Sequence, residues 1–472
     1  MINFEHCTLF TTSLCNLNCS YCYICKDVNG GLKNIDADIE KDFKEKKYIK
    51  QLLDYDPNLS NTITGLTLWG GEPFLKIERF IDQMEDWFEN FPYLEKIATS
   101  TNFTIPNQTQ KIKEMVNKIE KLYFNTNKRF ELDIQISIDG YPEMNDEGRG
   151  QGVTEQFLNN FRELCNLDYD DTKIYLHVHT KPTLSRDTLH YLNTKEKCKK
   201  WFFFFEEEMH SVWRKSGVKW RYENALFNFA QPTEWTKEDG IDVAKVIQNI
   251  VDISDEVYQE CPGWRPHPSL NPFFIQLACH LDEVGPIFSM EQITQRYQEK
   301  RCGGGCGSFV GNIVPIPHGK FTMCHRGLFD EYVDYINNLN SRDDLNGLSE
   351  KYFKTSHPED WLYTPEEMHV VNKMMRPLYE EPNQILYTDM ITFIIEYANA
   401  GIIDEKYKDM KNAEIALDYF LRRAYCVQDA YLQNGSWVTP PAYEIPLLLN
   451  GVMDITLKEF DKLLMKKGWK LD

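Results

Sequence analysis

The chain has 472 residues, 72 Asp and Glu against 52 Lys and Arg for a formal net charge of −20, and an ordinary globular composition of 42% apolar and 13% aromatic residues. That length exceeds one hydrophobic core and predicts two or three structural units, while the acidic balance disfavours nonspecific binding to nucleic acid or to an anionic membrane. No stretch is apolar for long enough to span a bilayer, and the first residues lack a secretion signal, so a cytoplasmic protein is expected.

From the start to about residue 206, short β-rich runs alternate with helical stretches, as in repeated βα units around a parallel sheet or barrel. The expected strands are Cys7 to Ser13, Ile63 to Trp69, Lys96 to Thr101, Leu132 to Ile138, Lys173 to Lys181 and Trp201 to Phe205. Between them lie expected helices over Ile39 to Leu53, Gln108 to Leu122 and Thr154 to Cys165. Residues 207–300 read as an irregular, partly helical insert. A hairpin is expected over Gly311 to Cys324, with a Pro-His-Gly turn, and 331–472 reads as mostly helical, clearest at Ala413 to Ala424 and Leu457 to Lys466.

Thirteen cysteines in a reducing compartment favour metal ligation over disulfides. Cys15, Cys19 and Cys22 follow the first strand as Cys-x3-Cys-x2-Cys, so three thiolates on one loop can converge on three irons of a cubane and leave the fourth iron open. A zinc site with Cys25 as fourth ligand is the alternative reading of the spacing.

The segment Cys15-Asn-Leu-Asn-Cys19-Ser-Tyr-Cys22, with an aromatic residue before the last cysteine, resembles the signature loop of radical S-adenosylmethionine (SAM) proteins. The resemblance implies a partial (β/α)6 barrel, a [4Fe–4S] cluster on the three cysteines, and SAM chelated to the open iron, with Tyr21 near its adenine. Leu68-Trp69-Gly70-Gly71-Glu72-Pro73 at the second strand end is similar to the family's glycine-rich motif, which meets the methionine amino group. Thr99-Ser100-Thr101-Asn102-Phe103 is similar to a family segment that usually has glycine where Phe103 stands, and the resemblance places Ser100 and Asn102 among the cofactor contacts. Ser137-Ile138-Asp139-Gly140 with Arg149 resembles the ribose and carboxylate contacts.

The fourth strand supports that placement without the family, because Leu132, Ile134, Ile136 and Ile138 alternate with Asp133, Gln135, Ser137 and Asp139. Its polar face is expected to line the barrel interior. The fifth strand sets Tyr175, His177, His179 and Lys181 on one face, as groups for substrate contact or proton transfer or as a self-satisfied polar lining. Glu206, at the end of the expected sixth strand, is either a substrate-holding carboxylate or solvated surface.

Cys302-x3-Cys306 is followed by twelve residues, Gly319, four more and Cys324. This resembles the pattern of SPASM and Twitch radical SAM proteins and implies one auxiliary [4Fe–4S] cluster, with Cys426 as its fourth ligand and His325, Cys261 or Cys279 as alternatives. A zinc ribbon is the other reading of this group. The expected units are therefore the barrel (1–206), the insert (207–300), the auxiliary-cluster hairpin (301–330) and a helical C-terminal region (331–472).

The implied function is reductive SAM cleavage to a 5′-deoxyadenosyl radical and hydrogen abstraction from a peptide or protein side chain, with an external electron donor such as flavodoxin or ferredoxin. A sugar or nucleotide substrate is the alternative, and a non-catalytic iron–sulfur electron carrier is the rival from another class.

Overall fold

Six short strands lie side by side in chain order: β1 (His6–Thr12), β2 (Gly65–Gly70), β3 (Lys96–Thr101), β4 (Phe130–Ile136), β5 (Ile174–Thr180) and β6 (Arg221–Asn224), each parallel to the next. The computed structural model describes residues 4–22, 35–124, 127–224, 228–230 and 311–322, with isolated residues and short strands elsewhere. Parallel neighbours need crossover connections, and the right-handed rule puts successive crossover helices on the same face of the sheet. Those helices include α1 (Asp36–Lys44), α2 (Lys47–Tyr55), α3 (Gln108–Leu122), α4 (Pro142–Arg149), α5 (Val153–Leu164) and α6 (Lys195–Phe205), with Glu78–Ile81 and Met84–Asn90 between β2 and β3.

The core sits between the helices and one face of the sheet. In β4, Phe130, Leu132, Ile134 and Ile136 are fully buried, as are Ile174, Leu176 and Val178 in β5. They meet a stripe on α3 formed by Ile112, Met115, Val116 and Ile119, the spacing of one helical face. The alternate residues, Glu131, Asp133 and Gln135 on β4 and Tyr175, His177 and His179 on β5, are only half-buried and make the opposite, polar face.

At the other edge, β7 (Asn312–Ile316) pairs in parallel with β1, and β8 (Lys320–Thr322) turns back antiparallel to β7 through Pro317–Gly319. A last strand, β9 (Leu362–Tyr363), completes a nine-stranded, mostly parallel sheet. The expected hairpin is therefore present, and His318 and Gly319 both take positive φ at its turn (67° and 72°).

Four expectations change. Trp201 to Phe205 is not a strand but the end of α6; the helix starts at Thr194, whose hydroxyl accepts from the Lys197 N–H, and buries Trp201, Phe202, Phe204 and Phe205. The sixth parallel strand is Arg221–Asn224, beyond residue 206. The single helix over Ile39 to Leu53 is two, broken where Lys46 adopts φ 53°. Within the C-terminal stretch expected to be helical, Tyr431–Gln433 pairs antiparallel with Ser436–Val438.

Candidate functional site

The cysteine loop leaves the C-terminal end of β1 and is held by the same end of the next three strands, where open parallel α/β sheets place their sites. Its stem is tied first. Asp36, at the start of α1, accepts from the Thr12 hydroxyl (2.6 Å) and the Ser13 N–H (3.0 Å). Arg79 grips both oxygens of that carboxylate at 3.1 and 3.0 Å and donates to the Thr11 carbonyl at 2.9 Å. Burial pushes the Asp36 carboxyl up, but Arg79, Thr12 and Ser13 together outweigh it and hold the group below its ordinary value.

The end of β2 closes on the loop through backbone alone. Gly71 N–H donates to the Thr12 carbonyl at 3.2 Å and Glu72 N–H to the Leu14 carbonyl at 2.8 Å. A Cβ on Gly70 would stand 2.1 Å from the Thr12 oxygen, and one on Gly71 2.4 Å from the Leu14 oxygen, so the close approach itself requires glycine at both positions. Pro73 opens the next turn, and its carbonyl accepts from the Thr11 hydroxyl at 3.3 Å.

Glu72 is buried and joins the ends of β2 and β3. Its carboxylate accepts from the Asn102 N–H (2.6 Å), the Thr101 hydroxyl (2.7 Å) and the Phe74 N–H (3.0 Å). Burial raises it to about 7 against the pull of those three donors. The folded chain thus keeps a proton on Glu72 between the ordinary 4.5 and about 7, where the unfolded chain has lost it, so this group's contribution to stability falls as pH rises through that window. The melting temperature of the wild type relative to Glu72→Gln is expected to drop between pH 5 and pH 8, by the equivalent of roughly 2–4 kcal/mol. Parallel melting profiles would contradict the buried, half-protonated state.

Beyond β3, the Asn102 side chain donates to Asn16 Oδ1 at 2.8 Å and reaches Cys15 Sγ at 3.8 Å, while Asn16 donates to the Thr104 hydroxyl at 2.9 Å. Phe103, at the position where the sequence departs from the resembled glycine, adopts φ 58°. The left-handed conformation costs it about 1–2 kcal/mol, offset by complete burial of the ring edge-on to Phe157 at 5.6 Å and by a 2.8 Å bond from Asn160 to its carbonyl.

The far end of the loop is braced by β4. Asp139 takes a bidentate grip from Arg149 (Nε 2.9 Å, Nη2 2.8 Å), a 2.8 Å bond from the Thr183 N–H, and the Tyr21 hydroxyl. Arg149 also lies over the Tyr21 ring, 5.6 Å from its centre, and the Ser20 N–H donates to the Gly148 carbonyl at 2.8 Å. Trp201 of α6 fixes the turn beneath by donating to the Asp139 carbonyl at 2.7 Å.

The donor set suits a metal cluster better than a nucleophile. Cys19 is buried and its neighbours Cys15 and Cys22 are partly buried. Burial pushes the Cys19 thiol up to about 12; Arg149 opposes this, and Cys22, Asp139 and Cys15 add to it. A thiol in that setting becomes a thiolate when a metal cation replaces its proton, whereas a reactive cysteine needs the opposite shift.

The structure thus brings Tyr21, Gly70, Gly71, Glu72, Pro73, Asn102, Asp139 and Arg149 around the three cysteines through contacts with the loop or with each other. Ser100 and Ser137 stand half-buried on the polar face of the sheet, and the Ser137 N–H donates to the Thr101 carbonyl at 2.8 Å. His177 and His179 come together with Asp133 farther down that face. Glu206 is elsewhere: with α6 a helix, it lies in a π-helical turn, buried and 3.0 Å from His210 Nδ1. Cys302, Cys306, Cys324 and Cys426, and the alternatives Cys25, His325, Cys261 and Cys279, lie outside the described residues. Asp36 and Arg79 were not visible as site residues, because nothing in their spacing marks an acid and a base forty-three positions apart as partners.

Residues 5–144 match the family model described as a 4Fe-4S single cluster domain, and that span holds all three loop cysteines. The chain is also 34% identical over 145 residues to an uncharacterized protein of Methanocaldococcus jannaschii. The alignment covers 30% of this chain and 41% of that protein's length. Among the described residues no helix is long and apolar enough to cross a membrane.

Proposed function

We propose that this chain, with its 4Fe-4S domain match, is a radical SAM enzyme whose cluster is held by Cys15, Cys19 and Cys22. The observation that carries the reading is the cysteine loop itself, three thiols in the Cys-x3-Cys-x2-Cys spacing cradled by the C-terminal ends of four consecutive parallel strands. The sequential sheet β1 to β6 is compatible with a partial barrel, and the β7–β8 hairpin on its edge with the start of an auxiliary domain ligating a second cluster through Cys302, Cys306, Cys324 and Cys426.

Cys15, Cys19 and Cys22 would hold a [4Fe–4S] cluster open at one iron, which would supply the electron for splitting SAM into methionine and a 5′-deoxyadenosyl radical able to take a hydrogen atom from substrate. The chain's own residues divide into two duties. Gly70 and Gly71 admit the loop, and Tyr21, Asp139 and Arg149 lock its end, so these act by positioning. Glu72, Asn102, Ser100 and Ser137 line the strand ends beside it and take the SAM contacts that the family resemblance implies. A carboxyl raised to about 7 that accepts from the methionine amino group would lose its proton on binding, and an amino group that chelates iron must give up its own, so SAM affinity would rise with pH across neutrality.

The substrate in this reading is a peptide or protein side chain, which would be oxidised or cross-linked by loss of a hydrogen atom to the radical and then of an electron and a proton; an auxiliary cluster would supply the acceptor for that electron, and flavodoxin or ferredoxin in the cytoplasm would be the external donor for SAM cleavage. The reading is tested by anaerobic reconstitution under strong reductant, following 5′-deoxyadenosine. Formation by the wild type and none by the Cys15→Ala, Cys19→Ala, Cys22→Ala triple variant is expected; equal formation by both would overturn it.

A further inference from the structure

We propose that Asp133, His177 and His179 form a separate binding site for a divalent transition-metal ion on the polar face of the sheet, of the class that takes imidazole nitrogen and carboxylate oxygen. The site goes beyond the iron–sulfur reading and does not depend on it. In the β4–β5 register Asp133 stands opposite His177, and His179 is the next residue of β5 on the same face. The His-x-His spacing therefore aims two imidazoles the same way, with a carboxylate from the neighbouring strand beside them.

The atoms already converge. Asp133 Oδ1 lies 3.2 Å from His177 Nδ1 and 3.0 Å from His179 Nδ1, and the three donors fall within 4.8 Å of one another. A tetrahedral ion with ligands at roughly 2.0–2.2 Å holds them roughly 3.3–3.6 Å apart, close to the two imidazole–carboxylate distances and inside the bound on the whole set. The two rings run nearly parallel, 28° apart with centres at 5.2 Å, so neither blocks the other's nitrogen.

The surroundings fit a dication. His177 turns its far nitrogen, Nε2, toward Glu223 Oε2 at 3.3 Å, at an angle short of a hydrogen bond, and a carboxylate there orients a ligating imidazole. Lys96 approaches the other Asp133 oxygen at 3.7 Å but is paired with Glu131 at 2.6 Å, and Arg221 is paired with Glu223. Two bases, Lys96 and Arg221, thus stand among three carboxylates, Glu131, Glu223 and Asp133, an acidic excess that favours a cation. Three protein ligands leave a coordination position for water or a substrate oxygen. β4 runs three residues past Asp133 to Ile136, roughly 10 Å of strand, before the turn that carries Asp139, so the ion would sit below the cysteine loop.

The rival occupant of this geometry is a proton shared between imidazole and carboxylate. The two are separated by adding cobalt(II) alone to the full chain with its iron–sulfur cysteines already loaded, then desalting and recording metal content and X-ray absorption at the cobalt edge. The expected result is one retained cobalt with a nitrogen and oxygen shell carrying imidazole scattering. Its affinity should fall at least about ten-fold in His179→Gln and in Asp133→Asn, with iron content unchanged, and severalfold in the half-exposed Glu223→Gln. No retained cobalt, a sulfur shell, or the same affinity in His179→Gln would overturn the site and leave the proton-sharing cluster. Because every readout concerns cobalt bound by N and O, failure here leaves the cysteine loop untouched.

Discussion

Arg149→Met is expected to destabilise the protein by about 3–5 kcal/mol and to strip the reconstituted chain of most of its loop-bound iron, since removing one partner of a buried pair strands the other's charge. The pair is closed to solvent, with 6% of the Arg149 side chain and 1% of Asp139 exposed. Burial alone would push the guanidinium toward neutrality, yet the facing Asp139, with Tyr21 and Cys19 adding to it, holds Arg149 charged and its proton affinity raised. Without Arg149 the Asp139 carboxylate keeps, among the described residues, the Tyr21 hydroxyl and the Thr183 N–H. Arg149→Lys restores the charge but cannot span both oxygens, so a partial loss is expected. Urea midpoints together with iron per chain are the measurement. A variant as stable and as iron-rich as the wild type would show that the brace on Tyr21 is idle.

Gly71→Ala is expected to lower iron retention about ten-fold or more, for which a penalty of only 1.4 kcal/mol on the loaded state is enough. The new Cβ would lie 2.4 Å from the Leu14 oxygen, 2.6 Å from its carbon and 2.9 Å from the Ser13 oxygen. These are backbone atoms immediately before Cys15, so relief has to move the loop itself. Gly152→Ala is the control: its φ of 79° makes alanine strained there by about 1–2 kcal/mol, but no atom of the described residues lies within 4 Å of the added carbon. It should lose stability and keep its iron. Iron loss of equal size in both variants would mean that the close approach of β2 to the loop is not what holds the cysteines.

The strands around the site were readable because their signals are local. Lys96–Thr101 and Gln108–Leu122 agree to the residue with the pattern of their side chains, and the alternation of β4 and β5 sorted core from polar face correctly. Trp201 to Phe205 misled because an unbroken aromatic run has no period to separate strand from helix. Its helix is decided by a Thr194 cap and by burial from several sides, including the Trp201 bond to Asp139. With that strand misplaced, Glu206 was assigned to a strand end it does not occupy. The four-residue Arg221–Asn224 is too short and too polar to stand out, and joins the sheet only because β5 offers it an edge. The cysteine loop was legible as a motif, but its fastening was not. Asp36 with Arg79, Asn16 with Asn102 and Tyr21 with Asp139 are pairs made by chain topology, which no spacing along the sequence encodes. The same holds for Asp133 beside His177 and His179: each strand showed its own face, and only the register joined them.

The central claim, a cluster on Cys15, Cys19 and Cys22 with one iron open to SAM, is met most directly by electron–nuclear double resonance on the reduced, reconstituted chain. SAM labelled with 15N at its amino group and 17O at its carboxylate would be added in turn. The account predicts hyperfine coupling from both labels in the wild type and from neither in the Cys15→Ala, Cys19→Ala, Cys22→Ala variant. A reduced cluster in the wild type that shows coupling to neither nucleus at saturating SAM would contradict it, and would return the loop to the role of an iron–sulfur electron carrier.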